Sequence, residues 1–201
     1  KSIGASTLGG REIYIDENIG KLNVEKRGSY LGSFNSDDVI IVFYKDGSYE
    51  MTSFDLSNRY KMSDIYIIEK FNSNTVYTAI HQEGKNKKIY IKRFKIDTQV
   101  LMRRYGFISE NRGSKVLAFS NCLNINVSYN YRIASGDKKI KSIIVNDFID
   151  IKGYKALGRI LDNKQRMSAF NFKESIMDST KTNVDTMNKN LNKKENDLTL
   201  F

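Results

Sequence analysis

Val39-Ile40-Ile41-Val42-Phe43-Tyr44, Lys45-Asp46-Gly47, Ser48-Tyr49-Glu50-Met51-Thr52-Ser53-Phe54 is the stretch on which the fold turns. Two runs rich in β-branched and aromatic residues flank a short polar turn ending in Gly, which is the pattern of a β-hairpin. The plan recurs downstream. Val76-Tyr77-Thr78-Ala79-Ile80 turns through Glu83-Gly84-Lys85-Asn86 into Lys88-Ile89-Tyr90-Ile91-Lys92-Arg93-Phe94. Lys115-Val116-Leu117-Ala118-Phe119 turns at Ser120-Asn121 and resumes through Ile125, Val127 and Tyr129 to Tyr131. Tyr154-Lys155-Ala156-Leu157-Gly158-Arg159-Ile160 turns at Asp162-Asn163 and closes with Met167, Ala169, Phe170 and Phe172. Corresponding positions lie 37 to 41 residues apart. A lone hairpin cannot bury its apolar face, so strand repeats of this length must stack, and the chain reads as all-β and propeller-like with about four blades.

Outward from the repeats, Arg11-Glu12-Ile13-Tyr14-Ile15 and Lys21-Leu22-Asn23-Val24 form a further hairpin, expected to complete the last blade. Short runs near Tyr30–Phe34, Ile65–Ile68 and Ile140–Val145 are expected to supply the remaining blade strands. Residues 98–113 read either as a short helical turn or as an irregular strand. Residues 1–8 read as a connector, and the start at Lys1 suggests a piece of something longer. The expected domain is 1–173. Residues 174–201 are polar, with too few apolar side chains to offset the entropy of ordering, and read as a flexible tail with a transient helix near 180–192 as the minor alternative.

Composition narrows the function. The 201 residues suffice for one domain with a substantial core, and the absence of Pro leaves turns to Gly, Asn, Asp and Ser. Cys122 is the single cysteine, which excludes an internal disulfide or a multi-cysteine zinc site and fits a reducing, cytoplasmic setting. His81 is the single histidine, so a paired-histidine metal site is excluded. No apolar run is long enough for membrane insertion, and no phosphate-cradling Gly-rich loop for ATP is present. Residues 1–173 hold 29 Lys and Arg against 18 Asp and Glu, a net +11, whereas 174–201 hold 4 against 5. A basic body of this kind attracts polyanions.

The segment Ser6-Thr7-Leu8-Gly9-Gly10-Arg11, then Gly32-x-Phe34-x-x-Asp37-Asp38, then Phe54-Asp55-Leu56-Ser57-Asn58, resembles the C-terminal domain of the A subunit of bacterial type IIA topoisomerases, closest to topoisomerase IV A and gyrase A-like proteins. The resemblance spans nearly all of 1–173. It implies a β-pinwheel around whose basic rim duplex DNA bends, in a parent enzyme that is ATP-dependent and works with a B subunit and an A-subunit dimer at the nucleoid. It also implies that ATP and Mg²⁺ act through the B subunit and that this piece carries no cofactor. The Gln-Arg-Arg-Gly-Gly-Lys-Gly heptapeptide of gyrase A domains has no counterpart, which points to decatenation and relaxation over negative supercoiling.

Bending DNA without reading bases requires many phosphate contacts on one curved surface. The candidates are Arg59 and Lys61; Lys85, Lys87, Lys88, Lys92, Arg93 and Lys95; Arg103, Arg104, Arg112 and Lys115; Lys138, Lys139 and Lys141; and Lys152, Lys155, Arg159, Lys164 and Arg166, recurring in every repeat as a rim requires. Alternation leaves open which face of 88–94 is buried, because Lys88 and Lys92 share parity with Tyr90 and Phe94. Arg59-Tyr60 and Arg104-Tyr105 imitate the arginine-tyrosine pair of DNA-cleaving enzymes, and Asp64 with Glu83-Gly84-Lys85 imitates a nuclease pattern. Neither is expected to be catalytic, since the first lacks a winged-helix and metal setting and the second falls in a turn. His81 is read as a strand-end residue and Cys122 as structural. The rival reading is a propeller-type protein-interaction scaffold with an incidental basic surface.

Overall fold

The computed structural model describes residues 10–97, 100–163 and 166–174, and they form four sheets, antiparallel but for one short parallel pairing in the third. β1 (Arg11–Asp16), β2 (Lys21–Asn23) and β3 (Ser29–Phe34) make the first sheet, in the order β2-β1-β3. β4 (Ile40–Tyr44), β5 (Ser48–Thr52) and β6 (Ile65–Lys70) make most of the second. β7 (Tyr77–Gln82) and β8 (Ile89–Lys95) open the third. The chain then returns to the second sheet as β9 (Tyr105–Gly106), which pairs with β5, and goes back to the third as β10 (Lys115–Ser120), which pairs with β7. β11 (Ile125–Arg132) and β12 (Lys138–Ile144) start the fourth sheet. A four-residue helix, α1 (Val145–Phe148), leads back to the third as β13 (Ile151–Gly153) and β14 (Arg159–Ile160), both on β8. β15 (Ser168–Glu174) closes the fourth beside β11.

The sheets pack in sequence order with one core between each neighbouring pair. Ile13, Ile15, Leu22 and Phe34 meet Ile40, Val42, Tyr44, Tyr60 and Ile65 between the first two sheets. Ile41, Phe43, Tyr49 and Met51 meet Tyr77, Ala79, Phe94 and Phe107 between the second and third. Ile80, Ile89 and Ile91 meet Ile125, Val127, Tyr129 and Leu161 between the third and fourth. β4 is therefore buried on both faces, which is why Val39–Tyr44 is a continuous apolar run rather than an alternating one. Phe43 is the hub of the middle core, with the rings of Tyr49, Tyr77, Phe94, Phe107 and Phe119 at centroid distances of 4.3 to 6.3 Å. Among the described residues no core cluster joins the first sheet to the fourth.

Each of the first three sheets is completed by the repeat that follows it. The Tyr60 N–H donates to the Gly20 carbonyl, the Phe107 N–H to the Gly47 carbonyl and the Leu161 N–H to the Ile89 carbonyl, all at 2.9 Å. Those acceptors stand at or beside the first residue of β2, β5 and β8, and each of the three donors is buried in a different core. Gly20 (φ 61°) and Gly47 (φ 88°) must be Gly, both for their left-handed backbone and because a Cβ would collide with the Tyr60 carbonyl and the Ile108 side chain respectively. The fourth sheet has no such addition among the described residues, and β12 is an outer edge.

Three sequence expectations are corrected. The hairpin at Arg11–Val24 does not complete the last blade; with Ser29–Phe34 it builds a sheet of its own. The runs at 115–119 and 125–131 are not hairpin partners, since β10 belongs to the third sheet and β11 to the fourth. The runs at 154–160 and 167–172 are likewise split between the third sheet and the fourth. Two apolar runs across a short turn look the same whether they pair with each other or cross between sheets. Of the run 98–113, the described part, 100–113, takes the form of the irregular strand: Leu101 bridges Met51 in parallel and Tyr105–Gly106 then pairs with Ser48–Tyr49 antiparallel. Residues 1–9 and 175–201, with the expected helix near 180–192, lie outside the described residues. No helix among the described residues is long and apolar enough to cross a membrane.

Candidate nucleic-acid interface

The β7–β8 turn is organised by one carboxylate. Glu83 is 4% exposed and accepts the N–H groups of Lys85 (2.9 Å) and Asn86 (2.7 Å), the Asn111 side-chain amide (2.5 Å) and the Ser109 hydroxyl (3.3 Å). The two backbone donors, aided by Asn111 and Ser109, hold its carboxyl down to about 2. The turn therefore carries Lys85, Lys87 and Lys88 outward, all exposed. The Gly84 N–H donates to Ser114 Oγ at 2.9 Å, and a Cβ on Gly84 would meet the Asn111 and Arg112 carbonyls, so the turn lies directly on the 109–114 connection. That contact brings exposed Arg112 and Lys115 beside the lysines. On the other side a groove of about 350 Å³ is lined by Lys87, Lys88, Asp162 and Arg166.

Lys85, Lys87, Lys88, Arg112, Lys115 and Arg166 thus gather at the turn end of the third sheet, and none forms an ion pair among the described residues. Lys138, Lys139 and Lys141 follow on β12; Lys141 Nζ sits 2.8 Å from Asp162. The remaining cations are differently placed. Lys61 pairs with Asp64 at 2.9 Å, while Arg104 contacts Asp46 (3.4 Å) and Glu50 (3.5 Å) and lies 3.9 Å from the Tyr44 ring centroid. Arg59 donates to the Ser57 and Asn58 carbonyls. Arg103 lies over the Tyr105 ring, Lys155 over Tyr154, and Arg159 over Phe148, whose carbonyl it also reaches at 2.8 Å. Arg104 and Lys155 share a concavity of about 430 Å³ with Glu110. Lys95 is half-buried, Lys152 is exposed on β13, and Lys164 lies outside the described residues.

Two candidates leave the surface set. Lys92 is 2% exposed, with Nζ donating to the Phe107 (2.7 Å) and Tyr154 (2.5 Å) carbonyls. Arg93 is 6% exposed and donates to the Leu123 carbonyl at 3.0 Å. The strand that carries them is covered on both faces, so neither cation faces solvent. The cations also do not recur evenly. Residues 10–64 hold 7 Lys and Arg against 10 Asp and Glu, a net −3, while 65–173 hold 21 against 8, a net +13. The positive excess belongs to residues 65–173, which hold the third and fourth sheets together with β6 and β9 of the second.

The imitations of catalytic motifs have structural uses. Tyr60 is buried with its hydroxyl 2.7 Å from Thr52 Oγ1, and Tyr105 stacks on Tyr49 at 5.5 Å. Asp64 pairs with Lys61 beside the second sheet, whereas Glu83 is consumed by its own turn. His81, the penultimate residue of β7, is fully buried, reaches the Leu157 carbonyl at 2.9 Å and has its pKa lowered by burial. Cys122, half-buried, packs against the core between the third and fourth sheets. Among the described residues no group of three or more His, Cys, Asp or Glu could hold a metal ion. What sequence reasoning missed are the anchors Tyr60, Phe107 and Leu161, which stand 47 and 54 residues apart and so do not follow the 37-to-41-residue period.

Comparison with known proteins gives one family: the model described as topoisomerase C-terminal domain, Bacteroidota, matches residues 21–173. No curated protein matches the chain.

Proposed function

The chain belongs to the Bacteroidota-type topoisomerase C-terminal domain family, and on that premise we propose that it is the DNA-binding and DNA-bending module of the A subunit of a type IIA topoisomerase. In this reading the four sheets are the blades of an open β-pinwheel. Duplex DNA runs over the turn end of the third and fourth sheets, and cleavage and resealing belong to the rest of the A-subunit dimer. ATP hydrolysis and Mg²⁺ belong to the B subunit, and the enzyme works on the nucleoid in the cytoplasm. The parent is read as topoisomerase IV-like, acting by decatenation and relaxation. The observation that carries the reading is the group of six exposed cations that have no acidic partner among the described residues, at the turn end of the third sheet. Phosphates need mobile, unneutralised Lys and Arg on adjoining loops, and binding without base readout needs nothing more.

The test is a salt titration with a duplex of about 40 base pairs. The logarithm of the affinity should fall linearly with the logarithm of salt, by about 0.9 per phosphate neutralised. Lys85→Ala, Lys87→Ala, Lys88→Ala and Arg112→Ala together should make that slope shallower by about 3 to 4, while Lys61→Ala, already paired with Asp64, should leave it unchanged. A duplex affinity indifferent to salt, or equal losses from both sets of variants, would overturn the proposal.

A further inference from the structure

Glu83 is a carboxylate between two cation-bearing loops, and it is paired with none of their cations. Lys85, Lys87 and Lys88 follow it in the β7–β8 turn, and Arg112 stands on the 109–114 connection against which that turn lies, yet no ion pair among the described residues involves Glu83. Its two oxygens are divided between the loops instead. Oε2 accepts the Lys85 and Asn86 N–H groups within the turn, while Oε1 accepts the Asn111 side-chain amide and the Ser109 hydroxyl from the connection. All four donors are neutral, so the carboxylate ties the loops together without neutralising a lysine. A second tie runs beside it, from the Gly84 N–H to Ser114 Oγ at 2.9 Å. Lys87 reaches across the same contact: a Cβ on Gly113 would come 2.9 Å from its Nζ.

Loops that carry like charges repel each other, and left untied they would have to be ordered by the phosphates themselves, at a cost to affinity. A side chain with two acceptor oxygens, one turned to each loop, removes that cost beforehand. An amide cannot do the same, because it presents one oxygen and one NH2 group. We propose that Glu83 is the positioning residue of the phosphodiester site, joining the Lys85–Lys88 turn and the Arg112 connection into one preassembled surface. The inference rests on the reading of this surface as a DNA site, and adds that an acid within it favours binding.

Charge and position predict opposite signs for one substitution. If only long-range potential counted, removing a negative charge from a basic surface would tighten DNA binding. Glu83→Gln instead sets an NH2 group against one loop's donors, and should weaken affinity for the same duplex by about fivefold or more. The salt slope should change by less than about 0.5, because no cation is lost. Asn111→Asp puts two carboxylates face to face and should weaken binding as well. Combined, the two changes restore a donor and an acceptor at the contact with the native net charge, and the double variant should bind within about twofold of the native chain. Without DNA, the Gly84 amide should exchange about tenfold faster or more in Glu83→Gln and return toward the native rate in the double variant. Tighter binding by Glu83→Gln, or a double variant as weak as the single ones, would overturn the inference and leave the DNA reading standing. A native affinity indifferent to salt would overturn both.

Discussion

Lys92 is a cation enclosed by its own fold. Its ammonium lies 4.9 Å from the Phe94 ring centroid and is held by the carbonyls of Phe107 and Tyr154, which stand on segments added to the second and third sheets. Burial pushes its pKa from 10.5 down to about 8. Between these values the unfolded chain binds more protons than the folded one, so the penalty for burying the charge is full below about 8 and fades as pH rises. Relative to Lys92→Met, the native chain should therefore gain about 2 kcal/mol between pH 7.5 and 9.5, measured by urea unfolding. A difference constant with pH would show that the ammonium stays charged through that range. The position was not legible from sequence. Strand parity places Lys92 with Tyr90 and Phe94, and the usual inference that one face is wet fails because sheets cover both faces of β8.

At the scale of elements, the unit of stability is a hairpin plus one residue from the next repeat. Phe107 contacts Phe43, Phe94 and Phe119 at centroid distances of 5.4 to 5.6 Å while its N–H binds the Gly47 carbonyl. Phe107→Ala should cost about 3 to 5 kcal/mol in urea unfolding, against less than about 1 kcal/mol for the 43%-exposed Leu101→Ala on the same segment. Equal losses would mean that Phe107 anchors nothing. The hairpins at 40–52 and 77–95 could be read in the sequence because their strands are contiguous and their turns carry Gly or Asn. The third and fourth repeats were misread because alternation reports that a run is a strand, not which neighbour it pairs with. The basic turn at 85–88 was visible as a charge run, whereas the contact that brings Arg112 beside it rests on Gly84 lying against a distant backbone.

At the scale of the whole molecule, core packing among the described residues passes only between adjacent sheets, yet each of the first three sheets depends on the one after it. A chain ending at Asn124 would lose the fourth sheet and also β13 and β14, uncovering Ile80, Ile89 and Ile91. Its β8 amides should exchange about tenfold faster or more, while those of β4 and β5, still closed by β9, should change little. Uniform loss of protection would show that the row unfolds as one block. The direction of these additions also matters on the ribosome. A repeat emerging from the exit tunnel holds a raw β-edge until some tens of further residues have been translated, so maturation trails synthesis by one repeat and proceeds from the amino end. A translational pause just before the codon for Tyr60, Phe107 or Leu161 would lengthen the interval in which that edge is open to misassembly.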